Sequence, residues 1–194
     1  MRDLAAAMNA PEFSSERLLV MITGSLNATF MPYWVNWLQL SYPKLEIQVV
    51  VTRSAERFVT RHALSVMLNK DVPLDAWPDQ PAPGSPHVHY ATWPDTVLVY
   101  PATYNFLSRF AGGLGDTPML LALQTTKARI GIGPALPPGA TESHAYRQNL
   151  TALQARPNVV VGDPIKGFSA HTREWTAFTP PPLPLLIEQL EAWR

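Results

Sequence analysis

The chain has no cysteine among its 194 residues. Disulfides, thiolate nucleophiles and thiolate metal sites are therefore excluded. Charge is sparse and balanced: 15 basic residues face 15 acidic ones, together 15% of the chain. A nucleic-acid binder normally carries a basic excess to meet phosphate, so that class is disfavoured. No apolar run reaches the roughly 18 residues of a membrane span, and the N-terminus is too polar for a signal peptide. The expectation is a soluble, cytoplasmic protein with neither a nucleic-acid nor a membrane partner. The sequence also lacks GxGxxG, a P-loop, GxSxG and any paired-carboxylate spacing, and it shows no internal repeat. Glycine is outnumbered by proline, 10 to 20. The prolines cluster from Asp71 to Pro86, from Pro134 to Pro138 and from Pro180 to Pro184. These stretches read as loops, because proline has no N–H to give to a ladder or a helix.

What is present is a globular composition, 46% hydrophobic, and long enough for one core without metals or staples. Residues 1–17 show no pattern and read as an N-terminal arm, leaving 18–194 as a single domain. Leu18 to Ile22 is a continuous apolar run stopped at Thr23-Gly24-Ser25, as in a strand buried on both faces. Leu45 to Val51, Thr96 to Tyr100 (stopped by Pro101), Arg129 to Gly133 and Val159 to Val161 read as four more strands. Between them lie segments of helical spacing. Met31, Val35 and Leu38 mark one, closed by Pro43. Val59, Ala63 and Val66 mark another, with Ser54 as its N-cap. Asn105 to Phe110, Met119 to Gln124, Thr141 to Gln154 (Tyr146, Leu150 and Leu153 on one face) and Leu183 to Trp193 complete the set. Strand alternating with helix predicts an α/β domain with a parallel sheet and helices on both faces.

In such a sheet, ligands bind beyond the carboxyl ends of the strands. Three strand ends carry small or hydroxylic residues: Thr23-Gly24-Ser25, Thr52-Arg53-Ser54 and Pro101-Ala102-Thr103. Helix N-terminal amides with nearby hydroxyls suit a single phosphate. The same residues also serve as ordinary turns and caps. His87 opens His87-Val88-His89-Tyr90; no third ligand accompanies this His-x-His pair, so no metal is expected. Asn105 and Asp116 read equally well as helix caps, and Gly112-Gly113 as a turn. Of six tryptophans, Trp34, Trp37, Trp93 and Trp193 read as core, while Trp77 and Trp175 fall in loops, where binding is more plausible.

Taken together these residues resemble the homo-oligomeric flavin-containing cysteine decarboxylases, from about Leu18 to the C-terminus. Gly24-Ser25 follows the first strand. Thr52-Arg53-Ser54-Ala55-Glu56-Arg57-Phe58-Val59 is similar to the family's T-x-x-A-x-x-F-V. Pro101-Ala102-Thr103-Tyr104-Asn105 is similar to its PAS/TAN motif, at the family's spacing from His87. Gly112-Gly113-Leu114-Gly115-Asp116 resembles its G-x-x-D stretch. The resemblance implies a single Rossmann-like (flavodoxin-like) three-layer domain binding FMN, or less often FAD, at a subunit interface of a homotrimer or of a dodecamer built from trimers. It implies flavin contacts from Gly24, Ser25, Ser54, Phe58, Pro101, Ala102, Thr103, Asn105 and Asp116, with His87 as the catalytic base and Asn105 also on the substrate. The implied reaction is oxidative decarboxylation of a peptide's C-terminal cysteine to an aminoenethiol, as in lanthipeptide-type (AviCys) pathways.

One departure stands out. Pro137 occupies the place of a substrate-binding Asn in P-x-M-N-x-x-M-W, within Pro134-Ala135-Leu136-Pro137-Pro138-Gly139-Ala140-Thr141. Either another group, such as Thr141, Ser143 or His144, takes over there, or the activity differs. Lys166 to Thr179 lies where peptide-acting members have a substrate lid. Arg173, His171 and Trp175 offer a clamp for peptide and carboxylate; a plain surface loop is the alternative. The competing functions are phosphopantothenoylcysteine decarboxylase, counted against by Pro137, and a non-catalytic flavin-binding subunit. A flavin prenyltransferase is disfavoured by His87.

Overall fold

A computed structural model describes residues 10–80 and 83–192. Five strands form one sheet: β1 (Arg17–Ile22), β2 (Glu46–Val51), β3 (Thr96–Thr103), β4 (Arg129–Ala135) and β5 (Val159–Val161). Their order is β2-β1-β3-β4-β5 and every pairing is parallel. This is a flavodoxin-like sheet, with its switch point between β1 and β3. Both faces are covered, which explains why the strands read as unbroken apolar runs rather than alternating ones; Leu18 to Ile22 are all buried.

Among the described residues seven α-helices flank the sheet: α1 (Met31–Ser41), α2 (Arg61–Leu68), α3 (Pro86–Thr92), α4 (Tyr104–Ala111), α5 (Pro118–Thr125), α6 (His144–Gln154) and α7 (Leu183–Ala192). On one face Leu18, Val20 and Ile22 of β1 pack with α1, α2 and α7. On the other, Leu19 and Met21 pack with α3, α4, α5 and α6. Each large side chain fully withdrawn from water this way contributes about 1.5–3 kcal/mol. Trp37 is in the core, Trp34 and Trp93 pack against it, and Trp193 lies outside the described residues. Of the expected N-terminal arm, residues 1–9 also lie outside them. Residues 10–16 are tied down: Phe13 packs on the core, the Tyr42 hydroxyl donates to the Pro11 carbonyl (2.8 Å), and the Asp95 carboxylate accepts from the Glu16 amide (3.0 Å).

Several elements differ from the sequence reading. Ser54 does not cap α2; it opens a 3₁₀ turn at Ala55–Arg57 without a side-chain capping bond, and Thr60 caps α2 by accepting from the Ala63 amide at 3.1 Å. That break rotates the helix, so Leu64 and Leu68 are buried while Val66 is 67% exposed. Pro101 does not end the third strand. A cis Tyr100–Pro101 bond and a register shift between Val99 and Ala102 carry β3 on to Thr103, and Pro134 likewise lies inside β4. The caps at Asn105 and Asp116 fall instead to Thr103 and Thr117. Pro86 opens α3 at its first turn, where a missing N–H costs nothing. The lid-like stretch contains an antiparallel hairpin, β6 (Ile165–Gly167) and β7 (Ala177–Thr179), held to the end of β4 by two hydrogen bonds between Leu136 and Phe178. Among the described residues no helix is long and apolar enough to cross a membrane.

Candidate active site

At the switch point, β1 and β3 are locked together by Thr23. Its hydroxyl donates to the Pro101 carbonyl (2.7 Å) and accepts from the Thr103 amide (2.9 Å), and the side chain is buried. Thr23 is thereby committed to structure. The next residue, Gly24, lies against the turn after β2: a Cβ there would overlap the Ser54 side chain. Only glycine lets these two strand ends close up. Ser25 then caps a 3₁₀ turn, Leu26–Phe30, by accepting from the Asn27 amide at 3.2 Å. The Ser54 and Thr52 hydroxyls lie 3.1 Å apart. Thr103 caps α4 and places Asn105 in its first turn, exposed.

Two clefts open at this edge and share Thr103 and Asn105 as a common wall. The smaller, about 380 Å³, is polar. Thr52, Ser54, Arg53 and Arg57 line it from the β2 side, Arg109 and Thr117 from the other, and Asp75 from its flank. Neither Arg53 nor Arg57 has an ion-pair partner among the described residues. Asp75 reaches this position because residues 73–75 run beside the end of β2, with the Asp75 amide donating to the Val51 carbonyl at 2.7 Å. Its carboxylate accepts from the Met119 amide at the start of α5 (2.9 Å). Burial raises the Asp75 pKa above the ordinary carboxylate value, against the pull of that hydrogen bond, of the Thr117 hydroxyl and of the Arg109 charge.

The larger cleft, about 610 Å³, lies between the Gly24–Phe30 segment, the end of β4 and the hairpin. Leu26, Phe30, Leu136 and Phe178 make it largely apolar. The hairpin closes one side with residues Phe168 to His171, and Trp175 packs edge-on against Phe168, ring centres 6.0 Å apart.

The structure brings together only part of the residue set drawn from the sequence. Gly24, Ser25 and Pro137 line the larger cleft, Ser54 the smaller, Thr103 and Asn105 both. Pro101 and Ala102 are buried beneath and present no side chain to either cleft. Phe58 is 37% exposed on the turn after Ser54 and lines neither. Asp116 stands behind the smaller cleft, paired with Arg109 at 2.5 Å. Arg173 and Trp175 are exposed on the hairpin loop and line neither cleft, whereas His171 does.

His87 faces elsewhere. It borders a separate surface depression with Trp77, ring centres 5.4 Å apart, and its Nδ1 is buried without a partner among the described residues. The Trp77 indole in turn donates to the Asp116 carbonyl at 2.8 Å. His89 points to other neighbours, meeting Gln48 at 2.8 Å and stacking on Trp93, so the two histidines do not converge on one ion. Thr141, Ser143 and His144 line neither cleft; Ser143 caps α6.

Asp75, Arg57 and Arg109 were not singled out from sequence, whereas the hairpin wall falls in the lid-like stretch that was. Only Arg57 carried a signal, as part of the motif after β2. The clefts fit a planar cofactor with one phosphate. In the smaller cleft, hydroxyls and two guanidiniums without an ion-pair partner among the described residues suit an anion such as a single phosphate.

Comparison with known proteins agrees with this fit. The chain is 34% identical over 167 residues to a protein of a Streptomyces sp named cypemycin cysteine dehydrogenase (decarboxylating), covering 86% of both. Among solved structures, the cypemycin decarboxylase CypD superposes with a TM-score of 0.78 at 29% identity, covering 95% of this chain and 97% of that one. The FMN-dependent cysteine decarboxylase TvaF from thioviridamide biosynthesis gives 0.67, also at 29%, covering 76% and 90%. A family model described as Flavoprotein matches residues 8–179. The chain belongs to the Flavoprotein family.

Proposed function

We propose that this protein is an FMN-dependent decarboxylase that acts on the C-terminal cysteine of a peptide in the biosynthesis of a modified peptide. The observation that carries the reading is the juxtaposition of a polar cleft suited to a phosphorylated cofactor with a larger apolar cleft, across Thr103 and Asn105. The likeness to the cypemycin and thioviridamide enzymes supports it.

FMN, when bound, supplies the two-electron oxidation of the cysteine side chain to a thioaldehyde, which eases loss of the adjacent carboxyl as CO₂ and leaves an enethiol. Gly24, Ser25, Ser54, Thr103 and Asn105 would hold it, and Arg53 and Arg57 would supply positive charge for its phosphate. Phe58 and Asp116, which line neither cleft, would act from outside them, and Pro101 and Ala102 through the backbone they shape. Asn105 also holds the cysteine unit. His87 takes up the thiol proton as general base. Within one chain His87 lies outside both clefts, beside Trp77. A neighbouring copy therefore supplies it to the cleft, and the working form is a homo-oligomer, a trimer in the simplest case. The hairpin β6–β7 closes over the peptide and excludes water.

The test is an absorption spectrum followed by incubation with synthetic peptides ending in cysteine, monitored by mass. Flavin bands with loss of CO₂ and two hydrogens are expected. Turnover of phosphopantothenoylcysteine instead would move the substrate to a small molecule. A colourless protein that takes up no added flavin would overturn the reading altogether.

A further inference from the structure

The substrate's carboxylate needs hydrogen-bond donors, and the end of β4 has none to give. The Leu136 amide is spent on the Phe178 carbonyl at 2.9 Å. Pro137 and Pro138, which follow it along the wall, have no N–H at all. Across the cleft, the Phe178 amide returns to Leu136 and the Ser169 amide goes to Glu174 at 2.7 Å. A carboxylate buried without donors costs several kcal/mol, and side chains on the hairpin wall can supply them.

Among the side chains that line the larger cleft, His171 alone can carry positive charge. It has no hydrogen-bond or ion-pair partner among the described residues. Arg173, the stronger cation two residues on, does not line the cleft. Its backbone sits at φ +60° and its amide donates to the Ser169 carbonyl at 2.9 Å, which closes the hairpin loop and carries the side chain away from the cleft lining. Asn105 lies on another wall of the same cleft, and its side-chain amide has no hydrogen-bond partner among the described residues.

From this we infer that His171 is the specificity-determining residue for the peptide's free C-terminal carboxylate. The inference rests on the decarboxylase reading above, which already requires a substrate ending in a free acid, and adds that the hairpin reads that acid through His171 and not through Arg173.

The experiment uses the flavin-loaded enzyme and peptides whose final cysteine is replaced by serine, which has no thiol to oxidise, so binding is read without turnover. Each peptide is made as the free acid and as the C-terminal amide, and affinities are measured by calorimetry. The wild-type enzyme is expected to prefer acid over amide by about tenfold or more, the scale of a charge-assisted hydrogen bond. His171→Ala brings that ratio close to one, His171→Lys restores it, and Arg173→Gln leaves it unchanged. A preference that survives His171→Ala, or that disappears in Arg173→Gln, overturns the assignment. Equal binding of acid and amide by an enzyme that still decarboxylates cysteine peptides also overturns it while leaving the activity in place. Absence of both binding and turnover removes the parent reading and this one with it.

Discussion

The two clefts that meet at Thr103 and Asn105 are built from different material. The smaller is framed by strand ends and helix starts whose positions follow from the sheet itself: Thr23 bridges β1 to β3, and Asp75 ties the edge of β2 to α5. The larger has one wall of that kind. Its other wall is a hairpin of two three-residue strands attached at Leu136–Phe178. Three of its large apolar side chains, Leu26, Phe30 and Phe168, are about half exposed. A cofactor that stays bound through many turnovers suits the rigid cleft, and a peptide that must enter and leave suits the one with a lightly attached wall.

Four changes would break or sharpen that contrast. The largest effect is expected at His87, which belongs to neither cleft within one chain. His87→Asn should keep the yellow flavin while CO₂ release falls by about 10²–10⁴; mass analysis of the peptide and an absorption spectrum check both halves, and full activity would remove His87 from the reaction. Gly24→Val comes next. A side chain there meets Ser54, and overpacking of this kind typically costs about 1–3 kcal/mol. Bound flavin should be lost and the melting temperature lowered; an unchanged melt with flavin retained would show that the strand ends have room to part.

Arg53→Gln combined with Arg57→Gln tests whether the polar cleft reads phosphate. FMN affinity should fall about tenfold while riboflavin, which lacks the phosphate, is nearly unaffected. An equal loss for both flavins would place the phosphate elsewhere. The smallest effect is expected at Asp75. Its folded-state pKa is raised from 3.8 by burial, so the fold favours the protonated acid. The stability it lends is full below the unfolded value and is lost as pH rises through the folded one. Asp75→Asn should therefore melt higher than the wild type at neutral pH, with the gap shrinking to nothing in acid. A gap that widened toward low pH would mean that the Met119 hydrogen bond outweighs desolvation.

Much of the frame was legible beforehand for a plain reason. A strand covered on both faces must be apolar at every position, and five such runs stand at their observed places in the chain. The loops after β1, β2 and β3 were legible as the binding edge because a parallel sheet sends its ligand there. The failures have physical causes too. Pro101 reads as a stop because proline breaks a ladder, yet the sheet absorbs it where β3 shifts register against β4. Ser54 reads as a cap because serine leads the cap statistics, yet the 3₁₀ turn leaves that role to Thr60. The hairpin's strands are too short to show a period of two.

The sequence by itself determined the layers, the five strands of the main sheet and the chemistry of the strand ends, because local hydrophobic period and turn residues are set by neighbours a few positions apart. Tertiary structure alone decided how those ends are shared between two clefts. Asp75 enters one because residues 73–75 line up beside β2, and His171 enters the other because Phe178 pairs with Leu136. Those contacts join residues about twenty and forty positions apart, and no local pattern records them.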